Sequence, residues 1–173
     1  MQRIFLLFFL PILWGMTGCA PTVRVQSRIN PDMKVSIKKL YVVLSATEKA
    51  APMVTAMELR FAGQLRENGI EAKVYVVDPL SLDPNEYRMD EWKYNPDAVL
   101  FVRYSEGTTV EGALTGAVFN ATLYDKKMAT ILWRANVSAD FGRPMSWSSS
   151  GEAFVQGILE KMWQDGLMGS KLN

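Results

Sequence analysis

The sequence predicts a two-layer α+β domain, a mixed sheet of about five strands with helices mainly on one face. Three observations carry that expectation. A strand–helix–strand run fills residues 37–77, two alternating strands meet at a short turn within residues 112–141, and an amphipathic helix spans residues 149–165. A parallel pair needs a long crossover, which the first run supplies, whereas an antiparallel pair needs only a turn, which the second run has.

The elements follow in order. Arg3 and the amino terminus make a positive start, and residues 4–14 are an uncharged apolar run containing Pro11. Gly15, Met16, Thr17 and Gly18 then lead to Cys19. This is the layout of an export signal, and its core falls short of the roughly 20 apolar residues that a spanning helix needs. Residues 1–18 are therefore expected to be a cleaved signal peptide. Residues 19–36, polar and mildly basic with Pro21 and Pro31, read as a tether with a short extended piece at Val23, Arg24 and Val25. Residues 37–168 are expected to form a single domain, followed by a tail over residues 169–173.

Within the domain, residues 37–45 are rich in β-branched and aromatic side chains and predict a strand. Pro52 suits the first turn of a helix. Met53, Met57, Phe61 and Leu65, with Val54 beside them, give that helix one apolar stripe, and Asn68-Gly69 ends it. Residues 70–77 set Ile70, Ala72, Val74 and Val76 against Glu71, Lys73 and Tyr75, the pattern of a half-buried strand. In the punctuated stretch 78–96, Asp83, Pro84 and Glu86 predict a capped short helix reaching about Trp92. Residues 97–104 are a continuous apolar run, suited to a central strand covered on both faces.

The antiparallel pair occupies residues 112–125 and 129–141. Ala117, Phe119, Ala121 and Leu123 oppose Ile131, Trp133, Ala135, Val137, Ala139 and Phe141, while Arg134, Asn136, Ser138 and Asp140 alternate on the other side. Gly107, Gly112 and Gly116 mark a hairpin loop and a bulge. Ser149 and Glu152 make a capping pattern before the last helix, whose inward residues are Val155, Ile158, Leu159 and Met162.

Composition narrows the function. The 19 basic residues exceed the 18 acidic ones only by Arg3, which leaves with the signal. A neutral chain without a basic run argues against nucleic acid as a partner. There is no histidine, which removes the commonest general base and metal ligand. The one cysteine, Cys19, permits no internal disulfide. No catalytic, cofactor-binding or metal-ligating set stands out, and the expectation is a protein that is not an enzyme and carries no cofactor. Ser36 and Lys39 match S-x-x-K, but in a strand those positions face opposite sides. Five residues are candidates for a partner or ligand surface: Tyr87, Trp92 and Tyr94 around the short helix, and Met145 and Trp147 in the loop 143–148. For the first three, packing against the sheet is the competing reading.

Met16-Thr17-Gly18-Cys19 resembles the lipobox of bacterial lipoproteins, with Met16 where that family usually has leucine. The resemblance implies that Cys19 is acylated on its thiol and becomes the mature amino terminus. One acyl chain holds a protein reversibly, whereas two or more anchor it stably. Ala20, where sorting to the inner membrane would favour aspartate, implies the outer membrane, facing the periplasm. Over residues 37–165 the order of elements, together with the run LYDKKMATILWRANVSA, resembles small envelope lipoproteins of the TolB amino-terminal-domain type. That group includes the curli-secretion lipoprotein and the lipoprotein activators of penicillin-binding proteins. The resemblance implies an accessory or regulatory subunit that contacts another envelope protein in the periplasm. A lipid-, glycan- or peptidoglycan-binding module is the alternative.

Overall fold

The computed structural model describes residues 22–31, 36–83, 85–111, 113–141 and 147–168. The order is strand β1 (Thr22–Ile29), strand β2 (Lys39–Ser45), a 3₁₀ turn (Glu48–Ala50), helix α1 (Ala51–Glu67), strand β3 (Glu71–Val76) and helix α2 (Tyr87–Tyr94). Strands β4 (Ala98–Val110), β5 (Ala113–Asp125) and β6 (Thr130–Asp140) and helix α3 (Trp147–Gln164) follow. The strands make one six-stranded sheet in the order β1-β6-β5-β4-β2-β3. Strand β2 runs parallel to β3 and β4, and the remaining pairs are antiparallel. This is the expected α+β class with one more strand.

The additional strand corrects the expected tether. Residues 22–29 pair with β6 along their whole length, from Thr22 opposite Asp140 to Ile29 opposite Trp133. The cause lies in their alternation. Val23 and Val25 pack against the core, while Arg24, Gln26 and Arg28 point the other way and are exposed. Helix α3 can approach β1 because residue 157 is glycine: a Cβ there would sit 2.9 Å from Val23 Cγ1.

One face of the sheet carries the main core. The α1 stripe (Met53, Met57, Phe61, Leu65) and the α3 residues Phe154, Ile158, Leu159 and Met162 pack on Leu40, Leu100, Phe119, Trp133 and Val137. Burying each such side chain stabilises the fold by about 1.5–3 kcal/mol. Phe119 and Phe154 meet edge-on, with ring centroids 4.8 Å apart. Gly151 lets the two helices close up, since a Cβ there would lie 2.6 Å from the Met53 carbonyl oxygen. Helix α1 ends as expected at Asn68, with Gly69 at φ 73°.

At the far end of α3, Asp165 ties three elements together. Its Oδ2 accepts hydrogen bonds from Ser27 Oγ of β1 (2.6 Å) and Trp133 Nε1 of β6 (2.8 Å), and its Oδ1 pairs with Lys161 Nζ (2.6 Å). Burial alone would raise the Asp165 carboxyl. The hydrogen bonds from Lys161, Ser27 and Trp133 outweigh it and hold the group below its ordinary value.

Three boundaries differ from expectation. Helix α2 starts at Tyr87 because Asp83 Oδ1 instead accepts the Asn85 N–H (2.8 Å) and forms a turn. Helix α3 starts at Trp147, so Ser149 lies inside its first turn and is not its cap. In β6 the expected inward Ile131 is only half-buried while Leu132 and Trp133 are both buried. A register shift at Leu123/Tyr124 of β5 breaks the alternation there.

Candidate functional site

The second face of the sheet is divided. The register places its side chains in two cross-strand rows. One runs Arg28, Arg134, Thr122, Phe101, Val43 and Tyr75; the other runs Gln26, Asn136, Asn120, Arg103 and Ser45. Both rows are polar at the β1 end, where the first is basic and the second carries amides. The first becomes aromatic and apolar towards β3.

Helix α2 covers the apolar half. Tyr87 packs with Tyr41, Val43 and Val99 in a small second core, with Tyr75, Tyr94 and Phe101 at its margin. The rings form a chain, Tyr87 to Phe101 (5.6 Å) and Phe101 to Tyr124 (5.6 Å), both edge-on. Charged groups pin the helix from both sides. Tyr41 Oη donates to Asp90 Oδ2 (2.8 Å), Lys73 Nζ meets Asp90 Oδ1 (2.6 Å), and Lys126 pairs with Glu91. The hydrogen bond from Lys73, then that from Tyr41, holds the Asp90 carboxyl below its ordinary value. Burial first and Asp90 second push the Tyr41 hydroxyl far up. Lys39 lies over the Tyr94 ring, 4.3 Å from its centroid. Burial, and next the Glu71 carboxylate, pushes the Tyr94 hydroxyl up to about 12.

The five candidate surface residues therefore separate. Tyr87 is buried and Tyr94 half-buried in the packing of α2, so for these two the packing reading applies. Trp92 is 75% exposed and borders a cleft of about 700 Å³ whose lining includes Tyr87, Arg88, Phe101, Arg103 and Tyr124. Trp147 is the first residue of α3 and not part of a loop. Met145 and Cys19 lie outside the described residues.

Sequence reasoning missed the open half. Here a trough of about 500 Å³ lies across β1, β6 and β5, with Gln26, Arg28, Asn120, Thr122, Arg134 and Asn136 along it. Asn136 Nδ2 donates to Asn120 Oδ1 (3.2 Å), and Arg103 stacks on Phe101 (5.4 Å). The alternation of Arg134, Asn136 and Ser138 was visible in the sequence, but its partner row belongs to β1. Among the described residues, no group of three or more histidine, cysteine, aspartate or glutamate side chains is placed to hold a metal ion.

No family model and no curated protein sequence matches the chain. Among solved structures, the PelC dodecamer from Paraburkholderia phytofirmans superposes with a TM-score of 0.54 at 18% identity, over 80% of this chain and 95% of that one. The chain shares its fold with PelC. A variant of the same PelC dodecamer gives a TM-score of 0.55 at 18% identity, over 80% of this chain and 96% of that one. A DUF330-family protein from Xanthomonas campestris is a looser likeness, with a TM-score of 0.42 at 16% identity, over 84% of this chain and 90% of that one. At these identities the likeness to PelC establishes the fold.

Proposed function

We propose that the chain is a lipid-anchored accessory or regulatory subunit of the bacterial envelope. It is held at the outer membrane, facing the periplasm, by acyl chains on Cys19. It acts through protein–protein contacts without catalysing a reaction, and copies of itself are among its partners. The observation that carries this reading is the fold shared over 80% of the chain with PelC, a bacterial protein that forms a dodecamer.

The lipobox-like residues before Cys19 support the anchor, and strand β1 sharpens what it would do. Thr22 already belongs to the sheet, so only Ala20 and Pro21 lie between it and Cys19, a reach of about 10 Å. An acylated Cys19 therefore holds the end of the sheet where Thr22 pairs with Asp140 close to the headgroups. A long tether would have let the domain wander; this attachment orients it. Oriented subunits at one surface need less ordering to assemble, which favours association.

Crosslinking the chain in intact envelopes, extracting it in mild detergent and weighing the complexes by native mass spectrometry tests the reading. The expected result is a defined multiple of the chain, or the chain with a second protein in fixed ratio. Recovery as a monomer with no stoichiometric partner contradicts it.

A further inference from the structure

We infer that the open half of the second face binds an acidic glycan, a chain of sugars bearing carboxylates, laid across β1, β6, β5 and β4. The first argument is electrostatic. Arg28 and Arg134 stand directly opposite one another on neighbouring strands, an arrangement that costs stability because like charges repel. Neither belongs to the ion pairs among the described residues, which join Lys39 to Glu71, Lys73 to Asp90, Lys126 to Glu91 and Lys161 to Asp165. Arg24 opposes Ser138 and Arg103 opposes Asn120, so guanidinium groups flank the trough on both sides. An anion seated between Arg28 and Arg134 removes the repulsion. Guanidinium forks suit carboxylates, which they bind through two parallel hydrogen bonds.

The second argument separates a glycan from an acidic peptide. Strands β5 and β6 are paired on both sides, so their backbone groups are taken; of the strands beneath the ligand only β1 has an open edge, and a chain that crosses the strands does not extend it. The trough offers no large apolar side chain for a peptide anchor to fill, whereas protein hot spots are aromatic and well packed. What it offers is amide, hydroxyl and guanidinium groups. The Asn120–Asn136 bond leaves each amide further hydrogen-bonding capacity, which suits a ligand with many hydroxyls. The rows lead from Arg28 and Gln26 over three strand spacings, roughly 14 Å, to Phe101 and Arg103 beside the exposed Trp92. There a sugar ring can lay its apolar side on an aromatic one.

Unlike the assembly reading, this site is complete on one chain, and its test does not depend on oligomeric state. The test is calorimetric titration of the full chain in detergent with hexagalacturonate, neutral maltohexaose and hexaglutamate, in low and in raised salt. Hexagalacturonate is expected to bind, at least tenfold more tightly than either of the others and more weakly in raised salt. The Arg28→Ala/Arg134→Ala pair is expected to lose at least tenfold in affinity while its thermal midpoint stays level or rises, because the repulsion is gone. The pair of lysine substitutions at the same positions is expected to lose less, keeping charge but not the fork. If the alanine pair does not fold, the lysine pair and Asn136→Ala carry the same comparison. Absence of hexagalacturonate binding, or unchanged binding by the arginine variants, overturns the proposal. Equal or tighter binding of hexaglutamate also overturns it and assigns the face to an acidic peptide.

Discussion

The two faces of this sheet are made by the same strands, yet they are finished differently. On the helix face, alternate residues of all the central strands are apolar, and α1 and α3 together seal them into one core. On the second face, apolar residues gather mainly towards β3, and the short α2 covers that part. The remainder carries arginine, asparagine, glutamine and threonine and stays open. The comparison teaches that a cover extends as far as the apolar rows beneath it. Stability is concentrated on one side of the sheet, and the other keeps an open polar trough.

The largest effect should come from the sealed face. Phe61→Ala removes a fully buried ring and should cost about 3–5 kcal/mol in chemical denaturation. A loss below about 1 kcal/mol would erase the contrast between the faces. Next comes the clasp at its margin. Asp165→Ala leaves Ser27, Trp133 and Lys161 without their acceptor and should cost about 2–3 kcal/mol.

The pH dependence has a definite sign. The Asp165 carboxyl is held below its ordinary value in the folded protein, so its contribution is complete above the unfolded pKa of about 3.9. It disappears as pH falls through the lower folded value. Denaturation curves from pH 6 downwards should show the parent losing its advantage over Asp165→Asn only below about pH 4. An advantage that holds unchanged down to pH 2 would remove this account of the clasp.

The second face should respond less. Tyr87→Ala empties the small core beneath α2 and should cost roughly 1–3 kcal/mol, less than Phe61→Ala. Trp92→Ala, at an exposed position on the same helix, should stay within about 0.5 kcal/mol of the parent. Equal losses from the two would mean that Trp92 is packed and unable to serve as a platform.

The sequence made the helix face readable because periodicity and burial coincide there. Met53, Met57, Phe61 and Leu65 recur every four residues, and Phe119, Trp133 and Val137 alternate, as a single buried side demands. Strand β1 escaped because Pro21 and Pro31 frame it and charged residues fill its outer row. Only pairing with β6, more than a hundred residues on, shows that Val23 and Val25 pack, half-buried, against the core. The open trough was hidden for the same reason, since Arg28 acquires its neighbour Arg134 only through that pairing. The register shift that brings Leu132 inward depends on how β5 and β6 meet, which no local pattern states. Tyr87 and Trp92 could not be told apart in sequence, and the direction of α2 separates them.

The proposed attachment underlies the functional account, and it would rest on one sulfur atom. Intact-mass and peptide analysis of the chain extracted from membranes tests it most directly. The account predicts that residues 1–18 are gone and that Cys19 is the amino-terminal residue, carrying a thioether-linked diacylglyceryl group. A free Cys19 thiol, or a chain that retains residues 1–18, would contradict it.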